Sequence, residues 1–401
     1  MLRSIAILSA EFPAHWHTYI VSQSRDFEAL GVRTRHLSTR LPKAEFLSPD
    51  ILAKAGGEVG VLFPPKAEDI LRIALKPGWL MRMLSYLRTT REGGAKGFLR
   101  RLLLMPSVAA LIREAAQSDA QLVLLHSFGD AAHVAAMAER CAGLPYALTL
   151  HGPLSVWGGD IGPKTRRATR IFPVTKALLK ELEAACPEVP ATAISMGVDL
   201  DSFPFISRPR RDPGAPLRIA TIARLHASKG HGYVLEAVRS LLDQGVDVRY
   251  LIAGNGPNEP EIRARIAELG LGDAVQLLGA ISGAQVAELL AETDAVVLAS
   301  VGEGEAAPVS VMEAMARGVP VICTRIGGTP EMIEDGVDGF LAPQQDAEAI
   351  ARALRTLAAA PDLAAEMSGR AHAKAAAQFD TAKLSAQALD LLSADLARKI
   401  R

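Results

Sequence analysis

Only three cysteines occur in the 401 residues, Cys141, Cys186 and Cys323. They are odd in number, far apart and outside any C-x-x-C pair, which excludes a disulfide framework and a zinc ribbon. A reduced, cytosolic chain is expected. Net charge is also missing, since 44 Lys and Arg balance 44 Asp and Glu. That balance removes the general basic face on which nucleic-acid binding rests, so any polar ligand must be held locally. Long apolar runs are absent too. Leu102 to Ile112, the longest, contains Pro106 and falls short of the ~20 residues a spanning helix needs. The run Ile5 to Leu8 is too short for a signal peptide and reads as a first buried strand. Aromatics supply just 5% of the chain, yet 49% hydrophobic and 22% charged residues are the proportions of an ordinary folded protein, not of disorder.

What is present is a rhythm. Short β-branched apolar runs alternate with longer helical segments, the pattern of βαβ units and a parallel sheet. The length fits two domains. In the first block, strands are expected at Ile5–Ser9, Val32–Leu37, Leu122–Leu125, Tyr146–Leu150 and Arg170–Pro173, with helices at Thr18–Leu30, Ala131–Ala142 and Lys176–Ala185. The second block offers strands at Arg218–Ile222, Arg249–Ala253, Val275–Leu278, Ala295–Ala299 and Val319–Cys323. Between the blocks, Phe205–Pro216 carries three prolines and a group of arginines and reads as a linker. The expected division is an α/β chain with a first domain over 1–204, a linker over 205–216 and a second domain over 217–380. The segment 381–401 forms a terminal helix free to pack back on the first domain.

One segment breaks the rhythm. Between Ile70 and Arg113 there are nine cations (Arg72, Lys76, Arg82, Arg88, Arg91, Lys96, Arg100, Arg101 and Arg113) against one acid, Glu92. Leucines, methionines and Trp79 interleave with them. This insert, about 66–114, reads in two ways: a basic amphipathic surface for an anionic membrane, or a helical pair that buries its apolar residues and solvates its charges.

Ligands of open α/β sheets bind at the carboxyl ends of the strands, so chemistry is sought just after them. Arg224 and Lys229 follow the strand ending at Ile222, beside Gly230 and a helix start. Two cations at a helix N-terminus suit a diphosphate. Gly254-Asn255-Gly256-Pro257 follows Ala253 as a tight turn that permits close backbone approach. After Ala299 come Glu305 and, eight residues later, Glu313. Carboxylates at that separation can grip vicinal diols at two ends of a ligand. By spacing alone, however, Ser310-x-x-Glu313 reads more readily as a capping box. No D-x-D metal motif is present.

The ordered series Arg224…Lys229-Gly230, Gly254-x-Gly256-Pro257, Leu278-Gly279, Asp294, Glu305-x7-Glu313-Ala-Met-Ala-x-Gly-Val-Pro-Val, Gly327-Gly328-x-Pro330-Glu331 and Asp335-Gly336-x-x-Gly339-Phe340-Leu341 resembles glycosyltransferase family 4. It covers nearly all of residues 218–345. The resemblance implies the GT-B fold, two Rossmann-like β/α/β domains facing each other across a cleft, and retaining transfer from a nucleotide sugar. It implies that Arg224, Lys229 and the backbone at Ala307 and Val309 hold the donor diphosphate, and that Glu313 holds the ribose. Gly254, Gly256, Leu278 and Gly279 then lie near the base, and Glu305 near the sugar. His151, before Gly152, matches a family position close to the donor sugar, so His151 and Glu305 are the candidate catalytic residues. Where the family usually has Gly-aromatic-Gly after the first glutamate, this chain has Ala306-Ala307-Pro308.

Phe12-Pro13-Ala14-His15-Trp16-His17-Thr18 resembles the Phe-Pro…Thr-Phe-Ile variant of some exopolysaccharide and surface-glycan transferases. His15, Arg25 and His126 are the acceptor candidates. The implied partners are a UDP- or GDP-sugar donor and a glycan or polyprenyl-linked acceptor, with no further cofactor, no metal and no nucleic acid. The expected location is cytoplasmic, peripheral on the inner membrane face if the 70–113 segment binds lipid. Two other functions are compatible with these residues: a nucleotide-sugar epimerase of the same architecture, or a non-catalytic sugar-nucleotide-binding protein.

Overall fold

The computed structural model of the chain describes residues 2–44, 46–207, 214–302 and 305–400. Its contacts divide into two compact units, Met1–Ser195 with Thr381–Arg401, and Met196–Asp380. The second unit therefore begins upstream of Phe205. Of the expected linker 205–216, residues 208–213, with Arg208, Arg210 and Arg211, lie outside the described residues.

In the first unit a parallel six-stranded sheet runs in the order β3-β2-β1-β4-β5-β6. Its strands are β1 (Ser4–Glu11), β2 (Arg33–Arg40), β3 (Gly60–Val61), β4 (Leu122–Leu125), β5 (Tyr146–Leu150) and β6 (Ile171–Pro173). β4 and β5 are buried at every position, as central strands covered on both faces must be, which is why they read as unbroken apolar runs. β2 extends three residues beyond the expected Leu37 because pairing overrides its polar composition: Arg40 lies opposite Glu11 across the register and forms an ion pair with it at 2.6 Å. β3 is two residues long, too short to leave a hydrophobic period.

The terminal helix Thr381–Ile400 belongs to this first unit. Leu389 and Leu392 join the core of Ile20 and Phe27. Ser385 Oγ donates to Asp26 at 2.9 Å, and Arg170 pairs with Asp395 at 2.6 Å.

The basic insert folds into four helices, Ala67–Ala74, Pro77–Leu87, Gly94–Leu103 and Met105–Gln117. Two of its nine cations are buried. Arg113 is buried between Asp69, at 3.0 Å, and Glu114, at 2.7 Å. Arg101 reaches the buried carboxylate of Asp160 at 3.3 Å. Glu92, His133 and Asp160 converge within 4.8 Å through residues scattered over the sequence. Asp160 in that cluster is held by Arg101 and by the amides of Arg91 and Glu92.

The second unit repeats the plan with a six-stranded sheet ordered β12-β11-β10-β7-β8-β9. Its strands are β7 (Leu217–Ile222), β8 (Val248–Ala253), β9 (Val275–Gly279), β10 (Ala295–Leu298), β11 (Val321–Thr324) and β12 (Phe340–Ala342). β11 starts later than the expected Val319. Val319 still closes the preceding helix, its amide donating to Ala314 at 2.8 Å, and Pro320 has no N–H for a ladder. The core gathers Ile219, Leu235, Tyr250, Val297, Ile322 and Leu354. In both sheets the strand order reverses beside the first strand of the unit, between β1 and β4 and between β7 and β10. These are the switch points where ligand crevices form.

Candidate active site

The switch point of the second unit carries the predicted cluster. The chain leaves β7 through Arg224, whose carbonyl accepts from His231 Nε2 at 3.2 Å and from the His226 amide at 2.9 Å. A 3-10 turn, Ala227–Lys229, then leads to Gly230 and the helix His231–Asp243. Gly230 has φ +66°, and a Cβ there would stand 1.8 Å from the Ala299 carbonyl, so only glycine lets this turn lie against the end of β10. The Val301 amide donates to the Ser228 carbonyl at 2.8 Å and ties the two loops together.

Lys229 and Glu305 form an ion pair, both side chains mostly buried. Ser300 Oγ donates to the same carboxylate at 2.8 Å. The backbone below is braced in turn. Thr324 Oγ1 donates to the Ser300 carbonyl at 2.5 Å, the Gly328 amide donates to the Ala306 carbonyl at 2.7 Å, and the Gly302 amide donates to Gln344 Oε1 at 2.9 Å. A Cβ on Gly327, at φ +52°, would meet the Glu305 carbonyl at 1.6 Å. The reading from sequence missed Ser300, Thr324 and Gln344. Serine, threonine and glutamine are too common for spacing to mark them, whereas Gly327-Gly328 was a visible signal that acquires its reason here.

The helix Val309–Arg317 has Pro308 at its cap and no side chain closing it. The capping-box reading of Ser310-x-x-Glu313 is therefore overturned: Ser310 lies inside the helix, and Glu313 occupies the second turn, not the first. Burial pushes the Glu313 carboxyl up to about 8. Ala306, Ala307 and Pro308 are buried, and the Pro308 carbonyl accepts from Val311 at 3.2 Å. Pro308 gives the helix start no N–H of its own, and the Val311 and Met312 amides close on its carbonyl, which leaves the amides of Val309 and Ser310 as the first-turn donors for an anion.

On the other side of β7, Gly254 and Gly256 lie against the backbone: a Cβ would meet the Ala223 carbonyl at 1.9 Å and the Leu225 carbonyl at 2.3 Å. Leu278 is the extra residue of a bulge, because Ile252 faces Leu277 while Ala253 faces Gly279. The Gly254 amide donates to Gly279 O at 2.8 Å, which brings these four predicted positions together. Arg224 is exposed.

In the first unit the switch point gathers histidines. His17 follows β1, His126 follows β4 and His151 follows β5. His126 Nδ1 lies 3.0 Å from His151 Nε2, and His126 Nε2 lies 3.0 Å from Gln23 Oε1. Tyr19 packs beside both rings, at 5.8 and 5.1 Å. Burial lowers all three histidines, His126 well below its ordinary value, His151 to about 4, and His17 to about 3, where nearby His151 and His36 add to the effect. At neutral pH they are uncharged. His126 and His151 thus stand side by side, whereas His15 and Arg25 are exposed. Tyr19, His17 and Gln23 were not singled out from the sequence, since only the fold brings their helix and loop to β4 and β5.

Two parallel six-stranded sheets with this order define the GT-B fold, and the crystal structure of Anabaena Alr3699/HepE in complex with UDP shares it. The TM-score is 0.75 at 18% identity, covering 98% of this chain and 100% of that one. The family model described as "Glycosyl transferases group 1" matches residues 203–374, a stretch that spans the motif series read from the sequence. The putative colanic acid biosynthesis glycosyltransferase WcaL of Escherichia coli (strain K12) is 38% identical over 194 residues, 47% of this chain and 47% of that protein. The amylovoran biosynthesis glycosyltransferase AmsK of Erwinia amylovora is 28% identical over 393 residues, 88% of this chain and 90% of that protein. The chain spans about half the length of the first relative and nine-tenths of the second. Among the described residues no helix is long and apolar enough to cross a membrane.

Proposed function

We propose that the chain is a retaining, metal-independent glycosyltransferase of family 4 that moves a hexose-type sugar from a UDP- or GDP-sugar to a glycan or polyprenyl-linked acceptor in surface or exopolysaccharide assembly. One observation carries the donor site: Lys229, Glu305 and Ser300 converge with an uncapped helix start at the switch point of the second sheet. A nucleoside diphosphate leaving group develops negative charge, which Arg224, Lys229 and the amides of Val309 and Ser310 would meet. Glu305 accepts hydroxyls of the sugar. Glu313, inside the helix, accepts the ribose hydroxyls. The relatives named for colanic acid and amylovoran biosynthesis support the polysaccharide setting.

The same reading gives the insert an anionic membrane surface. Leu71, Leu75, Met81, Leu99 and Leu103 are all more than half exposed, and Lys76, Arg88 and Lys96 are exposed with them. Apolar side chains interleaved with cations suit a headgroup layer.

A thermal-shift panel of UDP-, GDP- and ADP-sugars tests the donor, because a ligand that binds only the folded state raises the midpoint. A shift with UDP- or GDP-sugars supports the reading. No shift with any nucleotide sugar overturns it, and conversion of donor into an isomer without acceptor would replace it by an epimerase.

A further inference from the structure

The first unit holds a chain of side-chain hydrogen bonds that the donor site does not explain. It runs from Gln23, on the helix Thr18–Ala29, through His126 to His151, with both links 3.0 Å long. The direction of each link follows from chemistry. An amide oxygen only accepts, so Gln23 Oε1 requires the proton of His126 on Nε2. A neutral imidazole carries one N–H and one lone pair, and so His126 Nδ1 is left as an acceptor. The partner of that lone pair is His151 Nε2, which must then donate. The lone pair of His151 consequently lies on Nδ1.

His151 Nδ1 is buried and has no hydrogen-bond partner among the described residues. A second buried atom without a partner belongs to the loop after the same strand: Trp157 Nε1, a donor, 3.6 Å from the point a Cβ on the adjacent Gly152 would occupy. An acceptor and a donor left unmet on one strand-end loop match a hydroxyl group, which both donates and accepts. Both atoms are shielded from solvent in this conformation.

The backbone holds the relay in place. The His126 amide donates to the Leu8 carbonyl at 2.9 Å, anchoring β4 to β1 beside the helix that carries Gln23. Tyr19 lies against both imidazoles and shields the links from water. Burial keeps both rings uncharged near neutrality, the condition under which one tautomer passes its state to the next.

We propose that Gln23 is a positioning residue which, through His126, fixes His151 in the Nε2–H tautomer and leaves Nδ1 as its acceptor face; the place of His151 near a sugar is what the family resemblance implies. The tautomer assignment stands on this unit alone. The sugar as ligand rests on the glycosyltransferase reading.

The test uses the full-length chain labelled with nitrogen-15 at histidine, whose long-range proton–nitrogen spectra distinguish protonated from unprotonated ring nitrogens. In the wild type, His151 is expected to carry its proton on Nε2, and in Gln23→Leu to become a mixture. A proton on His151 Nδ1 in the wild type, or an unchanged tautomer in Gln23→Leu, overturns the relay whether or not the chain transfers sugar. Transfer assays add the second arm. Gln23→Leu is expected to lower kcat/KM at least tenfold with the thermal shift from nucleoside diphosphate unchanged. Gln23→Glu, which keeps an acceptor on His126 Nε2, is expected to restore most of it above neutral pH. Equal kcat/KM in wild type and Gln23→Leu overturns the positioning role. Loss of nucleotide binding by the wild type would instead sink the donor reading and leave the tautomer result standing.

Discussion

Lys229 and Glu305, 76 residues apart in sequence, share one ion pair at the end of the second sheet, with Ser300 as a third partner on the carboxylate. The two residues were expected to serve different parts of a donor, the diphosphate and the sugar. In the structure each fixes the other, so the cation is already positioned before any phosphate arrives, and its carboxylate before any sugar.

Lys229→Met is therefore expected to act twice. A hydrogen bond to a charged group contributes about 1.5–3 kcal/mol, so nucleoside diphosphate affinity should fall roughly ten- to a hundredfold. Loss of the pair also leaves the largely buried Glu305 carboxylate with Ser300 alone, which should lower the thermal midpoint by a few degrees. Isothermal titration and calorimetry read the two effects separately.

Glu313 gives a pH signature. Its carboxyl titrates near 4.5 when unfolded and near 8 in the folded chain. Between those values the folded state holds a proton the unfolded state has lost. Its contribution to stability is thus fully present below about 4.5 and is lost as pH rises through about 8. Glu313→Gln should flatten the decline in thermal midpoint across that window. If ribose hydroxyls donate to the ionised carboxylate, nucleoside diphosphate binding at pH 7 should release protons from the wild type and fewer from Glu313→Gln, measured as a dependence of binding heat on buffer ionisation enthalpy.

Two glycines with similar φ separate close approach from conformation. Gly327 and Gly279 have φ of +52° and +70°, yet a Cβ on Gly327 meets the Glu305 carbonyl at 1.6 Å, while nothing lies within 4 Å of one on Gly279. Gly279→Ala should cost about 1–2 kcal/mol for the left-handed conformation alone. Gly327→Ala must also displace the Glu305 backbone, and should destabilise more and weaken donor binding, as denaturant melts and nucleotide titrations will read.

The cations of the insert should divide by burial. Removing one partner of a buried pair costs about 3–5 kcal/mol, so Arg113→Ala should destabilise strongly by abandoning Asp69. Arg88→Ala, at an exposed position, should leave stability within about 0.5 kcal/mol and reduce co-flotation with anionic vesicles. Equal flotation of wild type and a variant lacking Lys76, Arg88 and Lys96 would remove the membrane reading.

How much of this was legible in the sequence depended on the range of the interactions. Central strands such as Leu122–Leu125 appeared at their full extent because burial on both faces writes an unbroken apolar run. β3 and β12 did not, since two or three residues hold no period and exist only by pairing with β2 and β11. Arg224, Lys229, Glu305 and Glu313 were legible as an ordered series, although the helix start that frees Glu313 from a capping role is set by the fold at Pro308 and not by spacing. The Gln23–His126–His151 chain was half legible. Two strand-end histidines could be picked out, whereas Gln23 reaches them across 103 residues and only through the packing of its helix.

The most direct test of the donor site compares wild type and Glu305→Ala in sugar transfer, using the nucleotide sugar that stabilises the folded chain, with nucleoside diphosphate binding measured on the same samples. Glu305→Ala should lose transfer at least a hundredfold while remaining folded and still binding the nucleoside diphosphate. Near-normal turnover in that variant would contradict the assignment of Glu305 to the transferred sugar.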